Sequence, residues 1–379
     1  MKAVHIIGIL VALIIIVASA AVLMSKSLPA NTGTLKIGYL GPLTGDAAVY
    51  GIPAKNIIDL ATEEINNQGG IDGRELEIIY EDGKCNGKDS ATAMQKLVNV
   101  DKVEIVLGGF CSSESLGAEP IATQNKVFLF SPGSSSPALT GKSQFFARDY
   151  PSDATQGKVL AEVAYNNKNW KKIAFIQEQL DYPLGIYNAF STNFRNLGGT
   201  VVKEEFAAGT TDFRSILTKL KAENPDALFV ATQTPAAADR IFKQLEELKW
   251  KSNLLISDAT SGDLETVKKN AALLEGALAA EFGVNENNPK FQHMLDAYKT
   301  KYGADAPYLS YAQTEYDSVY IIRDAIKAVG YEGEKIAEYV RNLKDWDGAS
   351  GKVIIGQDGD RVGGHTPKVI VNGTVVLYK

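Results

Sequence analysis

Cysteine, histidine and positive charge are all scarce in this sequence of 379 residues, which has 2 Cys, 3 His and 39 Lys plus Arg against 45 Asp plus Glu. Two cysteines exclude a scaffold built on several disulfides, and so few Cys and His residues exclude a clustered zinc site. The net charge of −6 argues against a general nucleic-acid binder, because such proteins present a basic face to phosphate. We expect no metal and no cofactor.

Catalytic signatures are also missing. Residues 133–137 read Gly-Ser-Ser-Ser-Pro and lack the final glycine of a nucleophile elbow. Residues 83–88 resemble a phosphate-binding loop, but the two glycines are one residue too close and no Ser or Thr follows the lysine. His293 and His365 have no Ser or Cys nucleophile that can be placed beside them, so we expect surface or structural roles for both. The sequence therefore predicts a protein that is not an enzyme.

The N-terminus carries a long apolar run. Between Lys2 and Lys26 there is no Asp, Glu, Lys or Arg, and residues 6–24 are apolar almost throughout. This pattern is typical of an export signal, with a cleavage site at residues 18–20 (Ala-Ser-Ala). An uncleaved membrane anchor remains open, because about 18 apolar residues can just span a bilayer. Under both interpretations residues 1–33 comprise this segment and a short tether, and the remaining chain lies outside the cytoplasm.

Beyond the tether, short runs of branched apolar residues alternate with amphipathic stretches. Strands separated by helices of ten or more residues predict βαβ units and parallel sheets that are covered on both faces. The fold class predicted is therefore α/β. The predicted strands are Leu35–Leu40, Leu76–Tyr80, Val103–Leu107, Val127–Phe130, Ile173–Ile176, Ala227–Ala231 and Leu254–Ile256.

The C-terminal part has a different pattern and suggests how the domains are arranged. Residues 353–355, 368–371 and 375–378 are predicted strands, and Asn372-Gly373 between the last two is a hairpin signal. No long Pro/Gly-rich linker divides the chain, so we predict two α/β lobes threaded by crossings near residues 149–152, 282–285 and 346–351. Residues 34–150 and 283–347 then form the N-terminal lobe, and residues 151–282 and 348–379 the C-terminal lobe.

Small polar residues follow most of the predicted strands. In parallel α/β sheets, ligands bind at the carboxyl ends of the strands, where helix N-termini present unpaired N–H groups. One such residue is ordinarily only a helix cap, but six polar strand ends over two lobes favour a small polar ligand held between them. These residues are Thr44, Ser112-Ser113, Gly133-Ser134-Ser135-Ser136, Asp181-Tyr182, Gln233-Thr234, and Asp258 with Thr260.

The two cysteines also follow predicted strands. Cys85 comes after the second strand and Cys111 ends the third, and we expect these strands to be neighbours. A disulfide between them is then geometrically plausible and would be consistent with an extracytoplasmic location. Two buried free thiols remain the alternative.

From about Leu35 to its end, the chain resembles the type I periplasmic binding proteins of the leucine/isoleucine/valine-binding group, which are solute receptors of ABC importers. The order and spacing of four segments carry the resemblance, and the Cys85/Cys111 pair matches the disulfide of that family in position. These segments are residues 37–45 (Ile-Gly-Tyr-Leu-Gly-Pro-Leu-Thr-Gly), 66–74 (Asn-Asn-Gln-Gly-Gly-Ile-Asp-Gly-Arg), 109–113 (Gly-Phe-Cys-Ser-Ser) and 131–137 (Ser-Pro-Gly-Ser-Ser-Ser-Pro).

The resemblance implies two Rossmann-like lobes with parallel-sheet cores, joined by a three-crossover hinge and closing on an amino acid without chemistry. It implies that Asp258 binds the ligand α-ammonium and that Tyr182 adds its phenol on closure. Tyr50 and Phe110, with Tyr308 or Tyr311, would line the side-chain pocket, although Tyr50 and Phe110 could equally be ordinary core aromatics. The ligand α-carboxylate would be held by the Ser112 hydroxyl, the backbone at Gly133, and the hydroxyl and N–H of Ser135, and Ser134 is also expected to bind the ligand.

The resemblance further implies a partner, an ABC transporter permease, and we expect a monomer. Gln233 stands where many amino-acid binders of this family have an aromatic residue, within an uncertainty of one or two positions. A polar residue there could admit a polar side chain, an amide or a urea-like solute. A branched-chain amino acid is the commonest ligand of the family. A ligand-binding sensor module for amino acids, amides or urea-like solutes is the alternative function.

Overall fold

The computed structural model describes residues 33–379, and the predicted export signal or anchor lies outside the described residues. Within 33–379, no helix is both long enough and apolar enough to cross a membrane. The strands form a five-stranded sheet, a seven-stranded sheet and a two-stranded hairpin, with helices between them. The predicted α/β class with two parallel-sheet cores is confirmed.

Fourteen strands are present in this part of the chain, and the seven predicted in its first two thirds are all among them. They are β1 Leu35–Gly41, β2 Leu76–Asp82, β3 Ile105–Gly108, β4 Phe128–Ser131, β5 Phe146–Arg148, β6 Lys172–Glu178, β7 Thr200–Phe206, β8 Ala227–Ala231, β9 Asn253–Ile256, β10 Leu278–Phe282, β11 Trp346–Gly348, β12 Gly351–Val353, β13 His365–Val371 and β14 Thr374–Leu377.

Thirteen α-helices connect or cover these strands within the same residues. They are α1 Ala48–Asn67, α2 Gly87–Asn99, α3 Ser112–Asn125, α4 Asp153–Glu162, α5 Asp181–Asn196, α6 Arg214–Ala222, α7 Pro235–Glu247, α8 Asp258–Ser261, α9 Leu264–Lys269, α10 Ala271–Leu274, α11 Pro289–Tyr302, α12 Leu309–Val329 and α13 Gly333–Arg341. A 3₁₀ turn at Pro137–Leu139 and a π-helical turn at Val163–Asn167 complete the helical part.

The first sheet has the order β2-β1-β3-β4-β5 and all of its strands are parallel. Its central strands are buried on both faces, which explains why β3 and β4 are continuous apolar runs rather than alternating ones. Helix α12 packs against α1, and α13 packs against β4 and β5. This sheet and its helices are called the first lobe below.

The second sheet has the order β14-β13-β10-β9-β8-β6-β7, and β13 runs antiparallel to both of its neighbours, β10 and β14. Asn372 and Gly373 join β13 to β14 with φ angles of 50° and 70°, as a two-residue turn with both residues left-handed requires. The predicted C-terminal hairpin is therefore confirmed. The predicted strand at 353–355 lies two residues earlier, in β12. This sheet and its helices are the second lobe.

Within residues 33–379 the chain crosses between the lobes three times: between β5 and α4, between β10 and α11, and between α13 and β13. On the third crossing, residues 358–360 still contact the first lobe, since the Arg148 N–H donates to the Gly359 carbonyl at 2.9 Å. The exact lobe boundaries at residues 150, 282 and 347 stay a prediction.

A buried arginine links these crossings. Arg361 donates to the Asp149 carboxylate at 2.8 Å, and both side chains are almost fully buried. Its guanidinium also lies 4.7 Å from the centre of the Phe282 ring. Residues from all three crossings therefore meet at one point.

The predicted disulfide joins Cys85 to Cys111, with their Cα atoms 5.3 Å apart. The expectation that their strands are neighbours is wrong, because β1 lies between β2 and β3. The loop after β2 reaches over the end of β1, and Cys85 itself has a left-handed φ of 57°. Glu114 holds the two ends together, since its carboxylate accepts the N–H groups of both Cys85 and Cys111 at 2.9 Å.

Candidate ligand-binding cleft

The carboxyl ends of both parallel sheets face one another, and the residues predicted for the ligand follow them. Ser112 comes after β3 and opens α3, and Gly133 to Ser135 follow β4. In the second lobe, Tyr182 lies in the first turn of α5 after β6, and Asp258 follows β9. Because parallel strands present their carboxyl ends at one edge, residues that are far apart in sequence converge there.

Between these strand ends lies a small cavity of about 10 Å³, which is room for about one water molecule, so the two lobes are closed on each other. Most of the residues predicted for the site, from both lobes, line it. Ser134 and Asp258, which were also predicted, are not among its lining residues. The lining residues are Tyr50, Phe110, Cys111, Ser112, Gly133, Ser135, Tyr182, Gln233, Ala259 and Tyr311.

The serines on the first-lobe side have different surroundings. The Ser112 hydroxyl accepts the N–H of Ser136 at 3.1 Å and lies at the cavity wall, at the N-terminus of a 14-residue helix. The Ser134 hydroxyl instead donates to the Gly109 carbonyl at 2.7 Å, beside Ser115. Ser134 thus fixes the loop, whereas Ser112 and Ser135 face the cavity. An anion at this wall would meet hydroxyls and the positive end of the helix dipole.

Asp258 is the centre of a group of tyrosine hydroxyls. Asp258 is only 2% exposed. Its carboxylate accepts hydrogen bonds from the hydroxyls of Tyr182 at 2.5 Å, Tyr150 at 2.9 Å and Tyr311 at 3.1 Å. Burial, and then the negative charge of Asp258, raises the pKa of each of these tyrosines. The three phenols therefore stay protonated at neutral pH and act as donors to the carboxylate.

The predicted aromatic residues form one cluster at the cavity. Tyr50 stacks on Phe110 with ring centres 5.5 Å apart, and Phe110 lies 5.1 Å from Tyr311. The Tyr50 hydroxyl donates to the Ala259 carbonyl of the second lobe at 2.9 Å. Tyr308 packs edge-on against Tyr50, but its own hydroxyl donates to Asp263 at 2.7 Å and it is not a lining residue.

Sequence reasoning missed Tyr150 and Asp153. Tyr150 lies on the first crossing, where an aromatic followed by proline gives no local signal of a ligand site. Asp153 is fully buried in the first turn of α4, and one carboxylate oxygen each of Asp153 and Asp258 and one ring nitrogen of His365 lie within 4.8 Å of one another. These three residues are the group in the described chain that could hold a cation.

The surroundings of Asp153, Asp258 and His365 do not favour a bound metal ion. Asp258 already accepts three phenol hydrogen bonds. Burial lowers the pKa of His365 to about 4 and raises that of Asp153 well above its usual value, so the surroundings oppose charge on both. His365 Nδ1 lies 2.7 Å from the Thr155 hydroxyl, as expected for a structural histidine. His293 is exposed and pairs with Glu64.

The comparisons with known proteins agree with this architecture. The sequence profile of the periplasmic binding protein family matches residues 34–366. The chain is 26% identical to a Leu/Ile/Val-binding protein of Rhizobium johnstonii, over 88% of this chain and 90% of that protein. It is 28% identical to a leucine-, isoleucine-, valine-, threonine- and alanine-binding protein of Pseudomonas aeruginosa, over 81% and 82% of the two chains.

Two solved structures are similar over most of their length. One is a leucine-binding protein of Thermotoga maritima, with a TM-score of 0.83 and 28% identity over 91% of this chain and 98% of that one. The other is a branched-chain amino acid transporter substrate-binding protein of Streptococcus pneumoniae in complex with isoleucine, with a TM-score of 0.79 and 28% identity over 91% and 100%. The chain thus belongs to the periplasmic binding protein family, in its leucine/isoleucine/valine-binding group.

Proposed function

We propose that this protein is an extracytoplasmic solute receptor that binds an amino acid between its two lobes and delivers it to an ABC importer. The observation that carries the proposal is a cavity with Ser112 and Ser135 on its first-lobe side and, on its second-lobe side, Tyr182 in contact with the buried carboxylate of Asp258. The similar proteins whose names include leucine, isoleucine and valine support an amino acid as the ligand.

An amino acid is a zwitterion, and burying it requires that both of its charges are matched. The hydroxyls of Ser112 and Ser135 and the backbone at Gly133 suit the α-carboxylate, because they are neutral donors and Ser112 also lies at a helix N-terminus. Asp258 and the hydroxyl of Tyr182 suit the α-ammonium. Tyr50 and Phe110 then face the side chain of the ligand.

Delivery requires release, and the three-crossover hinge provides a way to couple it to motion. The lobes touch through contacts at the cleft, such as Tyr50 to Ala259, so a ligand can enter or leave only when they separate. Membership of a periplasmic binding protein family implies a location outside the cytoplasm. An ABC permease as the docking partner, a monomeric state and an N-terminal export signal or tether complete the proposal.

A thermal-shift screen tests this function. The protein spanning residues 33–379 is melted with each of the twenty amino acids and with small amides, and hits are measured by calorimetry. A ligand that binds only the folded state raises the melting temperature, so at least one amino acid is expected to do so. Mass spectrometry of the incubated ligand is the control for catalysis. Failure of all twenty amino acids to bind, or conversion of the ligand into a product, would contradict the proposal.

A further inference from the structure

Gln233 is a cavity residue whose amide is poorly satisfied. It follows β8 in the second lobe, is 6% exposed and lines the cavity. Its backbone is fixed on both sides, because its N–H donates to Glu178 at 2.8 Å and the next residue, Thr234, caps α7. The side chain therefore leaves a rigid point of the sheet edge and ends at the cavity wall.

The orientation of the amide follows from its neighbour. The Gln233 Nε2 atom lies 3.7 Å from the sulfur of Cys111, which is part of the disulfide and carries no hydrogen. A disulfide sulfur can accept a hydrogen bond weakly but cannot donate one, so the NH₂ group faces it and the carbonyl oxygen points away. Among residues 33–379, that buried oxygen, Oε1, has no hydrogen-bond partner.

An unpaired buried carbonyl oxygen is costly, and a ligand that donates to it removes the cost. An aliphatic ligand side chain would leave Oε1 unpaired and would displace any water from it. A side chain with a hydroxyl or amide N–H group would satisfy it. The remaining wall around the side-chain region, formed by Tyr50 and Phe110, is aromatic and accepts either kind of side chain.

We propose that Gln233 determines the specificity of this receptor, and that its ligands are amino acids whose side chain carries a hydrogen-bond donor, such as threonine or asparagine. This inference rests on the proposed function, because it assumes an amino acid in the cleft. It differs from the aliphatic ligand in the name of the Thermotoga maritima relative, whereas the name of the Pseudomonas aeruginosa relative includes threonine beside aliphatic amino acids.

Isosteric ligand pairs test the inference directly. Threonine and valine have nearly the same shape, as do asparagine and leucine, and only the first of each pair offers a side-chain donor. Calorimetry with the wild-type protein is expected to show at least fivefold tighter binding of threonine than valine and of asparagine than leucine. Equal or tighter binding of valine and leucine would overturn the inference while leaving the proposed function intact. If no amino acid binds, the proposed function itself fails.

Gln233→Met assigns the preference to this residue, since it keeps the length of the side chain and removes the amide. The threonine-to-valine preference is expected to fall at least fivefold, with valine binding unchanged or tighter. Gln233→Leu serves if the methionine variant does not fold. Gln244→Met is the matched control: Gln244 is also buried in the second lobe, but its amide is paired with Phe213 and Thr211 and it does not line the cavity. This control should keep the preference.

One further outcome separates two roles of the same oxygen. If Gln233 accepts from the ligand α-ammonium instead, Gln233→Met weakens threonine, valine, asparagine and leucine by the same factor. An unchanged ratio of this kind would overturn the specificity role.

Discussion

The two walls of the cleft differ in the kind of polar group that they present. The first-lobe wall offers donors, namely the hydroxyl of Ser112 at the start of a long helix and that of Ser135 in the loop after β4. The second-lobe side offers acceptors, namely the Gln233 carbonyl oxygen at the wall and, behind Tyr182, the Asp258 carboxylate. A cleft with donors on one side and acceptors on the other can orient a dipolar ligand, because the reversed orientation would place like charges together.

The tyrosine contacts between the walls follow the same direction, whereas the N–H groups of Asp181 and of the Gln233 amide donate the other way, to Ser113 and Cys111. Tyr50, Tyr308 and Tyr311 of the first lobe donate to the Ala259 carbonyl, to Asp263 and to Asp258 of the second lobe. In these tyrosine contacts a first-lobe donor pairs with a second-lobe acceptor, which is the arrangement that the two walls would offer to a ligand. Substitutions in one wall should therefore change stability or ligand affinity differently from substitutions in the other wall.

The largest effect is expected from the disulfide, which braces only the donor wall. Replacing both Cys85 and Cys111 by serine should lower the free energy of unfolding by about 3 to 4 kcal/mol, because the 26-residue separation no longer restricts the unfolded chain. Urea denaturation of the variant and of the wild type measures the difference. The wild type in reducing agent is the control and should approach the variant. Equal stability of oxidised wild type and variant would show that the brace has no energetic role.

The next largest effect concerns the acceptor wall. Asp258→Asn should weaken amino-acid binding by at least tenfold, since the α-ammonium loses its charged partner at a loss of about 2 to 3 kcal/mol. Calorimetry gives the affinity, and thermal melting checks that the variant is folded. Asp263→Asn is the matched control, because Asp263 also accepts from a first-lobe tyrosine, Tyr308, which does not line the cavity, whereas the Asp258 partners Tyr182 and Tyr311 do. A similar loss in both variants would mean that inter-lobe contact, and not ligand charge, is affected.

A smaller effect distinguishes two serines of the donor wall. Ser112→Ala should weaken binding by about tenfold, because a hydroxyl that bonds a carboxylate contributes about 1.5 kcal/mol. Ser134→Ala should change affinity by less than about threefold and instead lower the melting temperature, since its hydroxyl holds the Gly109 carbonyl. The same calorimetric titration serves for both. The reverse order of the two affinities would mean that Ser134 contacts the ligand.

The smallest effect is a pH dependence of stability that comes from His365, a buried residue of the second lobe. Burial lowers the pKa of His365 from 6.5 to about 4, so its neutral form stabilises the folded state above pH 6.5 and this contribution is lost as pH falls towards 4. Between pH 7 and pH 5.5 the wild type should lose about 1 kcal/mol more than His365→Gln. Urea denaturation of both proteins at both pH values gives the change in the free energy of unfolding with pH for each protein, and the two changes are compared. Parallel pH profiles of the two proteins would contradict the pKa shift.

The fold could be predicted well where local patterns are strong. Buried parallel strands such as β4 and β8 are short apolar runs, and each was found. Strand β7 was missed because Lys203, Glu204 and Glu205 lie on this edge strand, where side chains meet solvent and the apolar pattern is interrupted. Strand β10 was missed because its alanines suggest a helix as readily as a strand.

The candidate site could be predicted only in part. Strand ends and the family resemblance indicated Ser112, Ser135, Tyr182 and Asp258, because carboxyl ends of parallel strands always meet at one edge. The cysteine pair was correct although the expected strand order was wrong. The hydrogen bond from Tyr150 to Asp258 could not be predicted, because the two residues are 108 positions apart and no local sequence pattern indicates such a contact.

The sequence by itself determined the alternation of strands and helices, the C-terminal hairpin and the polar strand ends, because periodicity and turn chemistry act between residues close along the chain. Only the tertiary structure decided which of two adjacent serines faces the cavity, which tyrosines surround Asp258 and that the Gln233 oxygen is unpaired. These outcomes depend on packing between segments distant in sequence. The hydrogen-bond partner of a buried side chain is therefore decided by which groups the assembled lobes bring within hydrogen-bond distance.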